Sequence, residues 1–406
     1  MTVTTAQELH LFTELVGAAH VRAADVSDAV SGVVPSLIVS PADELELASV
    51  LSAARARGLT VVARGGGTKI DWGSPPERCD VVLSTSRIEG IVDHEPADLV
   101  CVVRAGTTLS SVQETLAAAP GFRQRLMLDP PQGPGATIGG VVATAASGPL
   151  RTRFGTPRDL VIGASFVLAD GTVGRSGGKV VKNVAGFDVA KLLVGSLGTL
   201  AIVTEVAFRL HPLPSASRTV VLESRSVTDL CGFAAGVGRL QVTPSIVDLH
   251  WPMGVVMARF DSSALGAKVQ AERVTHELGG RILDDDEATA LTAAVAGMPW
   301  TGAGAVGAVA VLPSRLAEFL SSMSATCDAL VLRPLLGTGE VRFAPEAQEM
   351  VTAAVRSAGG RLVVRRGSAM SAGDVDDSVA LDLMRSVKQQ LDPGRTLSPG
   401  RQVGGI

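Results

Sequence analysis

No tyrosine occurs in the 406 residues, and aromatic residues make up only 3 % of the chain. With 45 glycines and an abundance of alanine and valine, that scarcity is the mark of a high-GC coding bias and carries no functional message. Cysteine is scarce too. Cys79, Cys101, Cys231 and Cys327 lie far apart without CxxC spacing, which excludes a sequence-local four-cysteine iron–sulfur site and reads as buried, reduced thiols in a cytoplasmic protein. No run of Lys or Arg forms a stripe, and 36 basic against 40 acidic residues leave a formal charge of −4, so a nucleic-acid partner is excluded. The opening MTVTTAQELHLFTELVGAAH carries Glu8 and Glu14 and no basic segment, so it does not read as a signal peptide. Residues 288–314 hold no charge, yet they are rich in Gly and Ala and broken by Pro299. They read as a loop followed by a buried strand, VGAVAVLP, and direct membrane insertion is not expected.

What is present is a globular composition, 46 % hydrophobic and 19 % charged, long enough for two or three domains. Residues 1–30 read as helix without a strong anchor to the rest of the chain. SLIVS predicts a strand, after which Ser40-Pro41-Ala42-Asp43 supplies an N-cap, a proline at the first helical position and an acidic first turn. Leu45, Val50, Leu51 and Ala54 recur at helical spacing until Gly58. LTVVA, DVVLS and LVCVVRAG predict strands, Thr108 caps a helix over 109–119, and LVIGASFVLADGTVGRSG predicts a hairpin around Asp170-Gly171. After Pro214 the strands TVVLES, SIVDLHW, VVMARF, AVGAVAVLP and RLVVRR alternate with helical stretches such as AKVQAERVTHELGG, and the tail holds a helix, VALDLMRSVKQQL, before DPGRTLSPGR.

Two glycine-rich loops carry the chemistry. In TVVARGGGTKIDWG, Gly65, Gly66 and Gly67 come after a β-branched run, and three ordered glycines cost backbone entropy that needs a reason. Either they make a tight turn, or their N–H groups form a concavity for an anion such as a pyrophosphate. The triplet is neither a GxGxxG fingerprint nor a GxxxxGK[ST] loop. About 70 residues on, Gly135-Ala136-Thr137-Ile138-Gly139-Gly140 lies in a proline-framed loop, and the pair could clamp one diphosphate from both sides.

RGGGT, GATIGG, LADGTV, GGKVVKNVAGFD and LLVGSLGTLAIVTE, in this order, resemble the flavin-binding domain of the vanillyl-alcohol oxidase/p-cresol methylhydroxylase family. Within it, RGGGTKIDWGSPP and ASGPLRTRFGTPRDLVIG are most similar to the FAD-binding subunits of bacterial glycolate oxidase, and DPGRTLSPGR is similar to the family's DPxGxxNPGR tail. The resemblance implies an α+β fold: a helical segment over 1–32, a PCMH-type two-subdomain FAD-binding domain over 33–213, a smaller α+β substrate or cap domain with an antiparallel sheet over 214–374, and a C-terminal segment, 375–406, docking back on the FAD domain. It further implies FAD, its pyrophosphate held through backbone N–H by Arg64, Gly65, Gly66, Gly67, Thr68 and Lys69 and by Gly135, Ala136, Thr137, Ile138, Gly139 and Gly140. Ala143, Thr144, Gly148, Ile202 and Val203 would line the adenosine and isoalloxazine. Covalently flavinylated members use His or Cys in these loops; Gly, Thr and Lys stand here, which implies a non-covalent flavin. Ser398 replaces a frequent Asn and Phe187 a common Tyr, while Lys179, Lys182 and Asn183 carry family likeness near the flavin or an interface.

The activity implied is oxidation of a small 2-hydroxy acid of the glycolate or D-lactate type by hydride transfer to flavin, with electrons passed to an iron–sulfur subunit alongside a second flavin subunit. An electron-relay or assembly subunit without its own substrate site is the alternative, and a stand-alone sugar or alditol oxidase a third. A 2-hydroxy acid needs a cation for its carboxylate and a base for its hydroxyl proton. His250, in SIVDLHW, is the candidate base, with Arg259, Arg365 and Arg366 as carboxylate candidates. Related dehydrogenases hold a metal with closely spaced histidines; the six here, His10, His20, His94, His211, His250 and His276, form no such pair, so no metal is expected.

Overall fold

The computed structural model describes residues 3–179, 186–324, 326–367 and 378–406. The chain divides into two compact units. Met1–Ala146, Thr156–Pro212 and Ala369–Ile406 form the first; Ser147–Gly155 and Leu213–Ser368 form the second. Both combine helices with sheets, the α+β architecture expected, and among the described residues no helix is long and apolar enough to cross a membrane.

The first unit holds a four-stranded sheet in the order Val21–Ala23, Leu37–Val39, Val81–Ser84, Val61–Arg64. The last three run parallel, and their near-continuous apolar runs suit strands covered on both faces. Val21–Ala23 pairs antiparallel with Leu37–Val39, so the expected N-terminal helix stops at Val16. It is also anchored: Phe12 is fully buried in a cluster with Leu37, Leu47, Val61 and Leu83. Helix Glu44–Ala56 starts three residues later than the proline suggested, because the Asp43 carboxylate, not Ser40, accepts the amides of Leu45 and Glu46. Leu47, Val50, Leu51 and Ala54 face inward, while Leu45 is exposed.

A five-stranded antiparallel sheet comes next, in the order Ile91–Glu95, Val100–Arg104, Ile202–Arg209, Val161–Val167, Val173–Gly177. Its last hairpin turns at Asp170-Gly171, where Gly171 has φ +87° and Asp170 accepts the Thr172 amide. Helix Ile138–Thr144 packs on the Ile202–Arg209 strand.

The tail returns to the four-stranded sheet, with Leu397 bridging Val61 in parallel. The Val61 amide donates to Thr396 O at 2.7 Å, and the Ser398 amide donates to Val61 O at 2.9 Å. One buried cation organises the turn: Lys388 Nζ donates to Asp392 Oδ2 at 2.6 Å, Thr199 O at 2.7 Å and Leu397 O at 2.9 Å. Fully buried Asp392 accepts the amides of Thr396 and Leu397 in turn, so the ion pair is satisfied on both sides.

The second unit is built on an eight-stranded antiparallel sheet in the order Arg281–Ile282, Ala216–Glu223, Val255–Ser262, Ile246–Trp251, Ala329–Arg333, Thr338–Phe343, Ala305–Ala310, Arg361–Arg366. One face is apolar: Val247, Leu249, Val256, Ala258, Phe260, Leu330, Leu332, Val341, Leu362 and Val364 pack with Leu230, Phe233, Phe319 and Val351 of the helices. The alternation places Asp248, His250, Arg259, Arg333, Glu340 and Arg365 on the opposite face. The uncharged stretch 288–314 is not all loop before its strand: helix Asp285–Val295, closed by an Asp284/Glu287 capping box, runs into it.

Replacing Lys388 with Met leaves Asp392 buried without its cation, and the full chain should lose about 3–5 kcal/mol of stability in urea unfolding. Exposed Lys268→Met should change it by under about 0.5 kcal/mol.

Candidate functional site

The three glycines have separate reasons. A Cβ on Gly65 would fall 2.0 Å from Thr137 Oγ1, and one on Gly66 would fall 1.9 Å from Gly135 O. Gly67 instead takes φ +72°, the left-handed region that L side chains disfavour. The first loop thus touches the second, and side chains would push the two apart.

Their amides are used differently. In the second loop Ala136 donates to Gly133 O, Ile138 to Thr107 O and Gly139 to Ala105 O, so these three are committed. In the first loop the amides of Gly65, Gly66, Gly67, Thr68 and Lys69 have no acceptor among the described residues. A run of free N–H groups beside a glycine turn is an anion nest. The second loop contributes Thr137 Oγ1, buried and without a hydrogen-bond partner.

Fourteen of the seventeen residues expected to hold a flavin line one cleft: Arg64 to Lys69, Ala136, Thr137, Gly139, Gly140, Ala143, Thr144, Ile202 and Val203. Counting the part open to solvent, it holds about 800 Å³, enough for a nucleotide-sized ligand. Gly135 is exposed and only its carbonyl abuts Gly66; Ile138 is fully buried in the core; Gly148 falls in the Ser147–Gly155 segment of the second unit. Thr85, Ala105, Ser196, Leu197, Gly198, Ala201 and Arg401 also line the cleft and were not foreseen. The motifs that hold five of them, LLVGSLGTLAIVTE and DPGRTLSPGR, were visible; which of their residues turn inward was not.

The cleft is cationic. Arg64 reaches Asp28 at 3.2 Å, and the Arg22 and Arg64 guanidiniums hold that carboxyl well below the usual carboxylate range. Arg401, buried, donates to the carbonyls of Ile70 and Trp72, and burial pushes it down to about 10. Burial pushes Lys69 down to about 8. Ser398 sits at φ +45°, where Asn is better tolerated than Ser, and its hydroxyl is buried without a partner. Phe187 is almost fully exposed, Lys179 pairs with Asp93, and Lys182 and Asn183 lie outside the described residues.

Of the substrate candidates, His250, Arg259 and Arg365 lie on the polar face of the second unit's sheet without forming a cluster. His250 is 2 % exposed, neither ring nitrogen has a hydrogen-bond partner, and burial beside Arg333 pushes its pKa down to about 4. Arg259 is held by Asp261 at 2.8 Å and by Ser217; Arg366 donates to the carbonyls of Trp300 and Gly302. Arg365 is four strands from His250, roughly 19 Å at ordinary strand spacing. Buried Arg333 pairs with Glu340 at 2.6 Å, and helix Arg151–Phe154 packs on the His250 strand. Among the described residues no group of three or more His, Cys, Asp or Glu side chains is placed to hold a metal ion. All four cysteines are free, Cys79 and Cys101 buried but Cys231 and Cys327 only partly so.

Because the folded state keeps His250 neutral, the unfolded chain binds more protons between about pH 6.5 and pH 4. Stability should therefore be complete above about pH 6.5 and fall by up to about 3 kcal/mol as pH drops towards 4. Urea titrations of His250→Gln should lack that part of the slope.

Residues 35–177 match the family described as an FAD binding domain. Over 238 residues the chain is 31 % identical to a D-lactate dehydrogenase of Archaeoglobus fulgidus, covering 58 % of this chain and 50 % of that one. Over 158 residues it is 38 % identical to the glycolate oxidase subunit GlcE of Escherichia coli, covering 39 % and 44 %. The chain spans half or less of the length of these relatives. Among solved structures it resembles p-cresol methylhydroxylase, with a TM-score of 0.75 at 16 % identity over 99 % of this chain and 97 % of that one. It also resembles 4-ethylphenol oxidase from Gulosibacter chungangensis, with a TM-score of 0.76 at 15 % identity over 99 % and 98 %. The free amides, the orphaned Thr137 hydroxyl and the two contact glycines are what a diphosphate-bearing cofactor requires of its loops. Residues 35–177 match an FAD binding domain, the chain has the fold of p-cresol methylhydroxylase, and its cofactor is FAD.

Proposed function

We propose that the chain is an FAD-dependent oxidoreductase subunit that oxidises a small 2-hydroxy acid of the glycolate or D-lactate type. The observation that carries the reading is the cleft itself, with five free amides on one wall and a glycine-packed loop on the other. The names of the relatives, D-lactate dehydrogenase and glycolate oxidase subunit, supply the substrate class.

Bound FAD supplies a hydride acceptor. The residues of this chain do the rest. The Gly65 to Lys69 amides receive the diphosphate, while Ala143, Thr144, Ile202 and Val203 give the flat rings an apolar wall. No His, Cys or Tyr is among the lining residues described, which supports a non-covalent flavin. In the second unit, His250 is the acceptor for the hydroxyl proton, since its imidazole is neutral with both nitrogens unengaged. The carboxylate candidates are Arg259, on the strand beside that of His250 and paired with Asp261, and Arg365, four strands away. Electrons leave through an iron–sulfur subunit, alongside a second flavin subunit.

The spread of His250, Arg259 and Arg365 across the sheet favours a second reading, an FAD-binding relay or assembly subunit whose partner holds the substrate site. Anaerobic mixing of the purified holoprotein with glycolate or D-lactate separates the two. Bleaching near 450 nm is expected from the first reading, whereas a flavin that stays oxidised with both acids sinks it for those substrates. In either case Gly66→Val should abolish FAD uptake in equilibrium dialysis, because its side chain displaces the Gly135 carbonyl, with little change in far-ultraviolet circular dichroism.

A further inference from the structure

Three cations line the cleft, Arg64, Lys69 and Arg401, and no carboxylate does so among the described residues. Arg64 shares the Asp28 carboxylate with Arg22, and Arg401 is spent on two backbone carbonyls. Lys69 is different. It is only 6 % exposed, its Nζ meets one neutral oxygen, Thr68 Oγ1 at 3.2 Å, and it stands 5.8 Å from the Trp72 ring centroid. An ammonium has three protons to donate, and a buried one with a single neutral acceptor is under-satisfied. The amides of the same loop share that need. Both are met at once by an anion with several oxygens, and the Thr137 hydroxyl of the facing loop adds a further donor.

We propose that the Lys69 ammonium is the counter-charge for the diphosphate of FAD, so that cofactor retention depends on the protonation of this one side chain. The inference rests on reading the cleft as the FAD site, and it goes beyond that reading by making affinity pH-dependent. Burial holds Lys69 near 8 in the free protein, with Asp71, exposed, pulling the other way. Near pH 9 most free protein therefore carries a neutral lysine, while the diphosphate keeps its full charge, and binding must first draw a proton from solvent. Affinity is thus complete below about pH 8 and falls as pH rises above it. The neighbouring groups do not mimic this: Arg401, near 10, stays charged at pH 9, and burial pushes Cys79 up to about 12, so its thiol stays neutral.

The test is an FAD titration of the full chain, monitored by flavin fluorescence at about pH 7 and pH 9, for wild type, Lys69→Met and Lys69→Arg. Wild-type affinity should fall about tenfold between the two. Lys69→Met should bind about ten- to a hundredfold more weakly at pH 7 and show no pH dependence. Lys69→Arg, with a charge that does not titrate, should also be flat with pH. Equal wild-type affinity at both values, or Lys69→Met within twofold of wild type at pH 7, overturns the proposal. Should Lys69→Met fail to fold by circular dichroism, the wild-type and Lys69→Arg series decide it. Failure of wild type to take up FAD at either pH would instead overturn the reading of the cleft.

Discussion

The site in this molecule depends on a contact that leaves no room for a carbon atom. Gly65 and Gly66 press against Thr137 and Gly135 so closely that a methyl group on either would overlap an oxygen of the second loop. The second loop is in turn locked from behind, its amides at Ile138 and Gly139 bonded to the carbonyls of Thr107 and Ala105. Because one loop is tied down and the other lies against it, the amides of the first are left facing open space. A donor run that the fold itself does not consume suits the glycine-rich segment to an anion.

The same logic extends to the tail. Lys388 and Asp392 form a buried pair whose remaining hydrogen-bonding capacity is spent on the backbone around residues 199 and 396–397. That arrangement holds Leu397 beside Val61, one strand from the glycine triplet, and delivers Arg401 to the cleft. Charge is then distributed unevenly. In the second unit Arg333 meets Glu340 and Arg259 meets Asp261, as buried charges ordinarily must. In the cleft Lys69 has no carboxylate partner among the described residues, its one hydrogen bond going to Thr68 Oγ1.

Much of this was legible in the sequence, and the parts that were not share a cause. The strands and the polar face that carries His250 derive from alternation: Val247 and Leu249 point one way, so Asp248 and His250 point the other. The ordered motifs located both loops. What they could not convey was why the glycines are there, since the clash partners lie 70 residues away, nor that Arg401 turns into the cleft, since that depends on a tail folding back across the chain. Local chemistry misled in two places. Pro41 suggested a helix start that the stronger Asp43 cap overrides, and a charge-free run hid a helix whose start is set by Asp284 and Glu287 just before it. Arg259 looked available because its partner, Asp261, is two residues on, the spacing that puts both side chains on one face of a strand.

The central claim is that the first loop's unengaged amides receive the diphosphate of FAD. Amide hydrogen exchange of the full chain with and without FAD tests it most directly. The account predicts that the amides of Gly65, Gly66, Gly67, Thr68 and Lys69 exchange fast in the free protein and become strongly protected with FAD, while Ile138 and Gly139 are protected in both. Saturation with FAD that leaves the five amides exchanging at their free rate would contradict it.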